Sequence, residues 1–317
     1  MKRDRQRLPH LGEEIFLTDG GLETTLIFHR GLELPHFASF AMVDDAKGRA
    51  ELTSYYEAYL AIARDYGCGF ILDTPTWRAN PDWAEKLGYD IAALRRLNIR
   101  SVEYIAELRR KWQKPGVRIL LNGVIGPRGD AYKQGRMDAA EARDYHAHQI
   151  KAFAETEVDM ATALTLNTAE EAIGIVLACK AAGLPVVISF TVETDGRLAN
   201  GMSLREAIEA TDLATGEAAA YYMVNCAHPV HFEPALERGE PWVMRIGGVR
   251  ANASTKSHAE LDESIELDIG DPKDLGRRYR SLAARYPSMR VFGGCCGTDH
   301  RHLTAICEAC MPSLAAE

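Results

Sequence analysis

Phe70-Ile71-Leu72-Asp73-Thr74 opens on a short apolar run that reads as a buried strand, and Ile91–Trp112 after it carries a long helical pattern. The same strand-then-helix unit recurs along the chain. One unit precedes it, with a strand at 15–18 and a helix at 51–66. Six follow: 118–124 with 139–155, 158–164 with 169–182, 185–192 with 204–210, 221–224 with 232–237, 242–249 with 274–286, and 290–292 with 299–310. Regular β-then-α alternation implies parallel strands joined by helical crossovers, and eight units is the number that closes a barrel. The expected fold class is therefore α/β, a single-domain (β/α)8 barrel over 1–317. The length of 317 residues suits a barrel of about 250 residues with loop insertions, whereas a doubly wound sheet more often has about five to seven strands. Thr168 and Ser203 stand where N-caps are needed. The longest breaks in the alternation, 127–138 and 252–272, are expected as surface loops or lids.

The barrel fixes where chemistry belongs. Asp19-Gly20-Gly21 follows strand one, Thr74 follows strand two, Asn225-Cys226 follows strand six, and Cys295-Cys296 follows strand eight. All sit at carboxyl ends of strands, which surround the one mouth where barrel active sites form. Within Gly293-Gly294-Cys295-Cys296-Gly297-Thr298 the adjacent cysteines are poor disulfide partners. A trans peptide holds their Cα atoms roughly 3.8 Å apart, while a relaxed disulfide wants about 4.4–6.8 Å. The flanking glycines let both sulfurs turn toward one point. With Cys226 as a third ligand the set becomes a three-thiolate zinc site with one position open, a catalytic rather than a structural arrangement.

A net charge of -8 argues against nucleic acid or an acidic membrane surface as partner, which leaves small molecules as the expected substrates. The basic stretch 1–10 is not followed by the apolar segment of a signal peptide, and no run approaches the roughly 20 apolar residues of a membrane span. A cytoplasmic location is expected, and the seven cysteines then read as reduced thiols rather than a disulfide framework.

At these motifs the chain resembles the zinc-dependent homocysteine S-methyltransferase family, which includes betaine-homocysteine methyltransferase and the homocysteine-binding module of cobalamin-dependent methionine synthase. The resemblance covers nearly the whole chain. It rests on Asp19-Gly20-Gly21 with Thr24 and Leu26, on Thr74-Pro75-Thr76 to Asn80, on Gly126-Pro127, on Asn225-Cys226 and on the paired-cysteine run. It implies a (β/α)8 barrel in which Cys226, Cys295 and Cys296 hold zinc and homocysteine supplies the fourth sulfur. It also implies that Asp19 and the backbone near Gly20 hold the amino-acid end of the acceptor. Thr74, Glu193 and Asn225 complete the candidate substrate contacts. Three thiolates leave the metal a weak Lewis acid and the bound sulfur electron-rich, which suits methyl transfer better than water activation.

Three positions depart from the family pattern. Leu164 stands where relatives place a glutamate for the α-amino group, and Glu193 after strand five is the candidate replacement. Arg78 stands where betaine-using relatives have an aromatic side chain, which disfavours betaine and suits a carboxylate or phosphate. Arg250-Ala251-Asn252 keeps only the asparagine of a family Pro-Asn motif. The expected reaction is methyl transfer from a soluble methylsulfonium, S-methylmethionine or S-adenosylmethionine, to homocysteine, giving methionine, because the chain has no room for a separate folate or cobalamin domain. The alternatives are a different thiol or selenol acceptor, and a catalytically silent zinc- or thiol-binding barrel acting as sensor or as subunit of a corrinoid methyltransferase system. Relatives often dimerise, so a homo-oligomer fits the resemblance. Cys307 and Cys310 are expected to pack the last helix on the barrel, Cys68 and Cys179 to lie in the core, and His228, His231, His300 and His302 to cap helices or back the site.

Overall fold

In the computed structural model, which describes residues 8–114, 117–133, 135 and 137–311, the apolar runs form eight strands. They are β1 (Phe16–Leu17), β2 (Gly69–Asp73), β3 (Ile119–Ile125), β4 (Met160–Leu166), β5 (Val186–Phe190), β6 (Tyr222–Asn225), β7 (Ile246–Ala251) and β8 (Val291–Gly294). Each strand pairs in parallel with its sequence neighbours, and β1 also pairs with β8, so the barrel closes in chain order with no free edge.

Alternate strand residues face the barrel interior. Phe16, Ile71, Leu120, Met160, Val187, Met223 and Val291 meet there in one buried apolar cluster. Two residues further along five of those strands, on the same face, stand Asp73, Asn122, Thr162, Ser189 and Asn225, all buried. They satisfy one another. The Asn122 amide donates to Asp73 Oδ1 at 2.7 Å, Thr162 Oγ1 to Asn122 Oδ1 at 3.0 Å, and Ser189 Oγ to Asn225 Oδ1 at 2.6 Å. The interior is thus apolar at depth and polar toward the carboxyl end. The intervening residues, such as Leu72, Leu121, Ile188 and Phe292, point outward into the larger core shared with the helices.

Helix ends follow local chemistry. Thr168 and Ser203 cap Ala169–Ala182 and Leu204–Thr215 by accepting from the backbone N–H groups of Glu171 and Glu206. Asp45 accepts from Lys47 and Gly48, which starts the first long helix at Ala46 rather than 51. Leu204–Thr215 runs past 210 until Gly216 stops it at φ +65°. Two expectations need correction. The helix expected at 232–237 is a short turn, Pro229–Phe232, that passes into Glu233–Ala235, where Pro234 has no N–H to offer. The strand expected from 242 begins only at Ile246, because Pro241 starts a helical turn, Pro241–Met244, that takes Trp242 and Val243. The segment 252–272 likewise includes a capped helix, His258–Asp262. No helix among the described residues is long and apolar enough to cross a membrane.

Tyr279, on the helix Pro272–Arg285, ties the ends of the last two strands together. Its buried hydroxyl accepts from the Ala251 N–H at 2.8 Å and donates to the Gly293 carbonyl at 2.6 Å. Tyr279→Phe leaves both backbone groups unpaired. We expect a loss of about 1–3 kcal/mol, seen in thermal unfolding as a midpoint several degrees lower.

Candidate active site

Asn225 organises the rim. Its side-chain oxygen accepts from the Thr165 N–H and Ser189 Oγ, while its amide donates to Thr165 Oγ1 at 2.8 Å and lies 3.8 Å from Cys295 Sγ. Thr165 and Cys226 both hold left-handed backbone, at φ +63° and +53°. Such strain in side-chain-bearing residues persists where surroundings over-determine it. Here the Cys226 carbonyl is held by the Asn252 amide at 3.0 Å and by His258 Nε2 at 2.6 Å.

The result is convergence of sulfur. The Sγ atoms of Cys226, Cys295 and Cys296 lie within 4.8 Å of one another. Gly21 makes this possible from the β1 side, since a Cβ on it would sit 2.7 Å from the Cys295 carbonyl oxygen. Cys226 and Cys295 are joined as a disulfide, with Cα atoms 5.3 Å apart, while Cys296 is free. This departs from the expectation of reduced thiols throughout. The physical reason is the convergence itself: two sulfurs aimed at one point from that Cα separation fall within disulfide reach as well as metal reach. The two states exclude each other, because a metal takes thiolates. Burial pushes the Cys296 thiol up to about 11, with the Glu23 charge adding to the effect and the Tyr132 hydroxyl opposing it. A thiol in such surroundings ionises at neutral pH only beside a cation. Three cysteines with one shared focus therefore fit a thiolate-bound zinc ion.

A cavity of about 450 Å³ opens onto these sulfurs. Asp19, Gly20, Thr74 and Asn225 all line it, as the sequence suggests; Glu193 does not. Glu193 lies behind the rim, with Oε1 3.1 Å from His258 Nδ1. Proximity does not leave every group free. The Thr74 hydroxyl is engaged by the Val124 N–H and Thr76 Oγ1. Asp19 is engaged on both oxygens, Oδ1 by Arg250 and Oδ2 by the Tyr55 hydroxyl at 3.1 Å. Arg250 reaches from β7 to pair also with Asp73, and all three charged residues are at most 6% exposed. Burial raises the Asp19 carboxyl to about 7 against the opposing Arg250 charge, with Asp73 adding to the rise.

Several cavity residues were not legible as site residues. Tyr132, in the break 127–138, lines the same cavity as Cys296 and stacks on His258 from the break 252–272, with ring centres 4.1 Å apart. The two expected lids thus meet over the sulfurs. Glu23 and Trp77 line the same space, and no spacing in the sequence marks them. Asn252 Oδ1 is buried there without a partner. The histidines serve structure: His228 caps Pro229–Phe232 and His302 closes a capping box with Asp299. Cys68, Cys179 and Cys307 are buried, and Cys310 is partly so.

Parallel barrels with a mouth full of cysteine sulfur form a narrow class, and comparison with known proteins places the chain within it. The family model described as homocysteine S-methyltransferase matches residues 16–310, and the chain belongs to that family. Betaine–homocysteine S-methyltransferase 1 of Rattus norvegicus is 25% identical over 262 residues, and that of Xenopus laevis is 26% identical over the same length. The match takes in 76% of this chain and 61% of either relative, so the chain spans about three-fifths of their length. Among solved structures, the homocysteine methyltransferase MmuM of Escherichia coli in its oxidised form superposes with a TM-score of 0.76 at 19% identity, covering 96% of this chain and 99% of that one. Its metallated form gives 0.72 at 19%, covering 93% and 96%. At that identity the likeness establishes the fold.

The Arg250 triad makes a pH-dependent prediction. Arg250→Met strands two buried carboxylates and is expected to cost about 3–5 kcal/mol at neutral pH. A carboxyl whose folded pKa lies above its unfolded value of about 3.9 favours the fold when protonated, and that contribution is lost as pH rises through the folded value. Removing the guanidinium raises Asp19 further. The deficit of the variant should therefore be largest near pH 8 and shrink toward pH 4, as denaturant unfolding across that range would show.

Proposed function

We propose that the chain is a zinc-dependent S-methyltransferase that moves a methyl group from a soluble methylsulfonium, S-methylmethionine or S-adenosylmethionine, to homocysteine, releasing methionine. The observation that carries this reading is the convergence of Cys226, Cys295 and Cys296 at the barrel mouth. Zinc held there would supply the positive charge that keeps an acceptor thiol ionised at neutral pH, while leaving one coordination position for it. The chain's own residues do the rest. Asn225, Thr165 and Asn252 hold the backbone and sulfurs of the cluster in register. Tyr132 and His258 close over the cluster from two loops and limit water.

The donor assignment is supported by charge. Seven carboxylate side chains line the cavity against two arginines. An excess of negative charge in a recessed site favours entry of a cation, and a sulfonium is a cation that becomes neutral when its methyl group leaves. The Escherichia coli relative with the same fold exists in an oxidised and a metallated form, which parallels the disulfide and zinc states proposed here. One observation favours a second reading. Leu164 is apolar and Asp19 is already engaged by Arg250, as suits a thiol acceptor that lacks an α-amino group.

Reduced protein should bind one zinc per chain, and Cys226→Ala should lose it, as elemental analysis after gel filtration would show. Protein oxidised before exposure to zinc should take up none. Zinc-loaded protein should form methionine from homocysteine and S-methylmethionine, and absence of product with both sulfonium donors would reject the donor assignment.

A further inference from the structure

Among the charged groups that line the cavity without an ion pair, Arg78 and Glu23 are opposite in sign. Arg78 is clamped between Trp77 and Trp83, with its guanidinium carbon 4.0 Å from each ring centre. Indoles on both faces leave only the edge of the fork to make hydrogen bonds. Along that edge, Nη1 donates to the Gly129 carbonyl at 3.1 Å and Nε is buried without a partner. Among the described residues Arg78 makes no ion pair. Glu23, half-buried, accepts from Ser39 Oγ at 2.8 Å and likewise makes no ion pair among the described residues. The two lie beyond the 4.0 Å of a salt bridge, yet each feels the other's charge, and Glu23 also feels Cys296. Two opposite charges held apart beside one sulfur cluster describe a receptor for a zwitterion.

The side chains expected to hold the amino-acid end are meanwhile out of use. Leu164 cannot accept from an ammonium, both Asp19 oxygens are engaged, and Glu193 is turned to His258 outside the cavity. We propose that Glu23 and Arg78 form the amino-acid clamp of this barrel, with Glu23 receiving the ammonium and Arg78 the carboxylate of the thiol acceptor. The inference rests on the reading of the acceptor as homocysteine. Ser39 fixes the Glu23 carboxylate, and the two indoles fix the guanidinium, so the clamp is formed before the ligand arrives. Asn252, which lines the same cavity, carries a further acceptor, Oδ1, that is buried and has no partner.

The test compares two thiols that differ only in the amino group, L-homocysteine and 4-mercaptobutyrate, by calorimetric titration into reduced, zinc-loaded protein. The wild type should bind homocysteine more tightly. Glu23→Gln should weaken homocysteine roughly ten- to a hundredfold, the scale of one lost charge-assisted hydrogen bond, and leave 4-mercaptobutyrate unchanged. Arg78→Gln should weaken both thiols alike, since both carry the carboxylate. Matched zinc content, together with a Glu23→Asp variant that keeps the charge and binds homocysteine better than Glu23→Gln, separates recognition from misfolding. Wild-type binding of homocysteine that Glu23→Gln leaves intact, or weakens equally for both thiols, overturns the clamp alone. A wild type that binds 4-mercaptobutyrate but not homocysteine overturns the acceptor reading, and the ammonium role of Glu23 with it.

Discussion

Closing eight parallel strands into a barrel forces all their carboxyl ends onto one rim, and the candidate site depends on that constraint. Cys226 follows β6 and the cysteine pair follows β8, with only β7 between them. Residues some seventy positions apart in sequence therefore meet without a long loop to carry either one. The rim is stiffened where it would otherwise be weakest. β1 is two residues long, and Arg250 from β7 crosses the mouth to Asp19, just beyond β1, and to Asp73 at the end of β2. A buried ion triad is a costly way to gain stability, since desolvation offsets much of the Coulombic attraction. Its value here is positional: it fixes the floor on which the sulfurs and the cavity rest.

The same triad changes what the cavity can recognise. A carboxylate paired with a buried guanidinium is a poor partner for an incoming ammonium, so Asp19 supports the floor. Glu23 and Arg78 keep opposite charges outside any ion pair, and on the proposed reading the acidic lining favours a cationic methyl donor. Sulfur chemistry at the base and charge selection above it are thereby separated. The base is built from backbone-anchored residues on strand ends, and the upper wall from loops that sequence change reaches more easily.

The legibility of the sequence follows the same division. Strand-end motifs were readable because barrel topology gives them positions: the eight units, the common mouth and the grouping of Cys226, Cys295 and Cys296 all follow from period and order. Asp19, Gly20, Thr74 and Asn225 were placed at the cavity, yet Thr74 and Asn225 turn out to hold other protein groups. A sequence states where a side chain starts and not which neighbour takes its hydrogen bonds. Tyr132, in a loop, and Glu23 and Trp83, on the short helices Leu22–Thr24 and Pro81–Lys86, acquire their roles from local conformation that no periodicity encodes. Glu193, one strand from Leu164 on paper, was captured by His258 from a segment more than sixty residues away. The helix turn at Pro241–Met244 shows the local version of this limit, where an apolar run that reads as strand is redirected by one proline.

The central claim is that three cysteine sulfurs form an open zinc site that receives the acceptor thiol. Zinc-edge X-ray absorption of the reduced, zinc-loaded protein, recorded with and without homocysteine, tests it most directly. The account predicts three sulfur ligands at about 2.3 Å in the absence of homocysteine and four in its presence. A coordination sphere unchanged by homocysteine, or a reduced protein that retains no zinc, would contradict it.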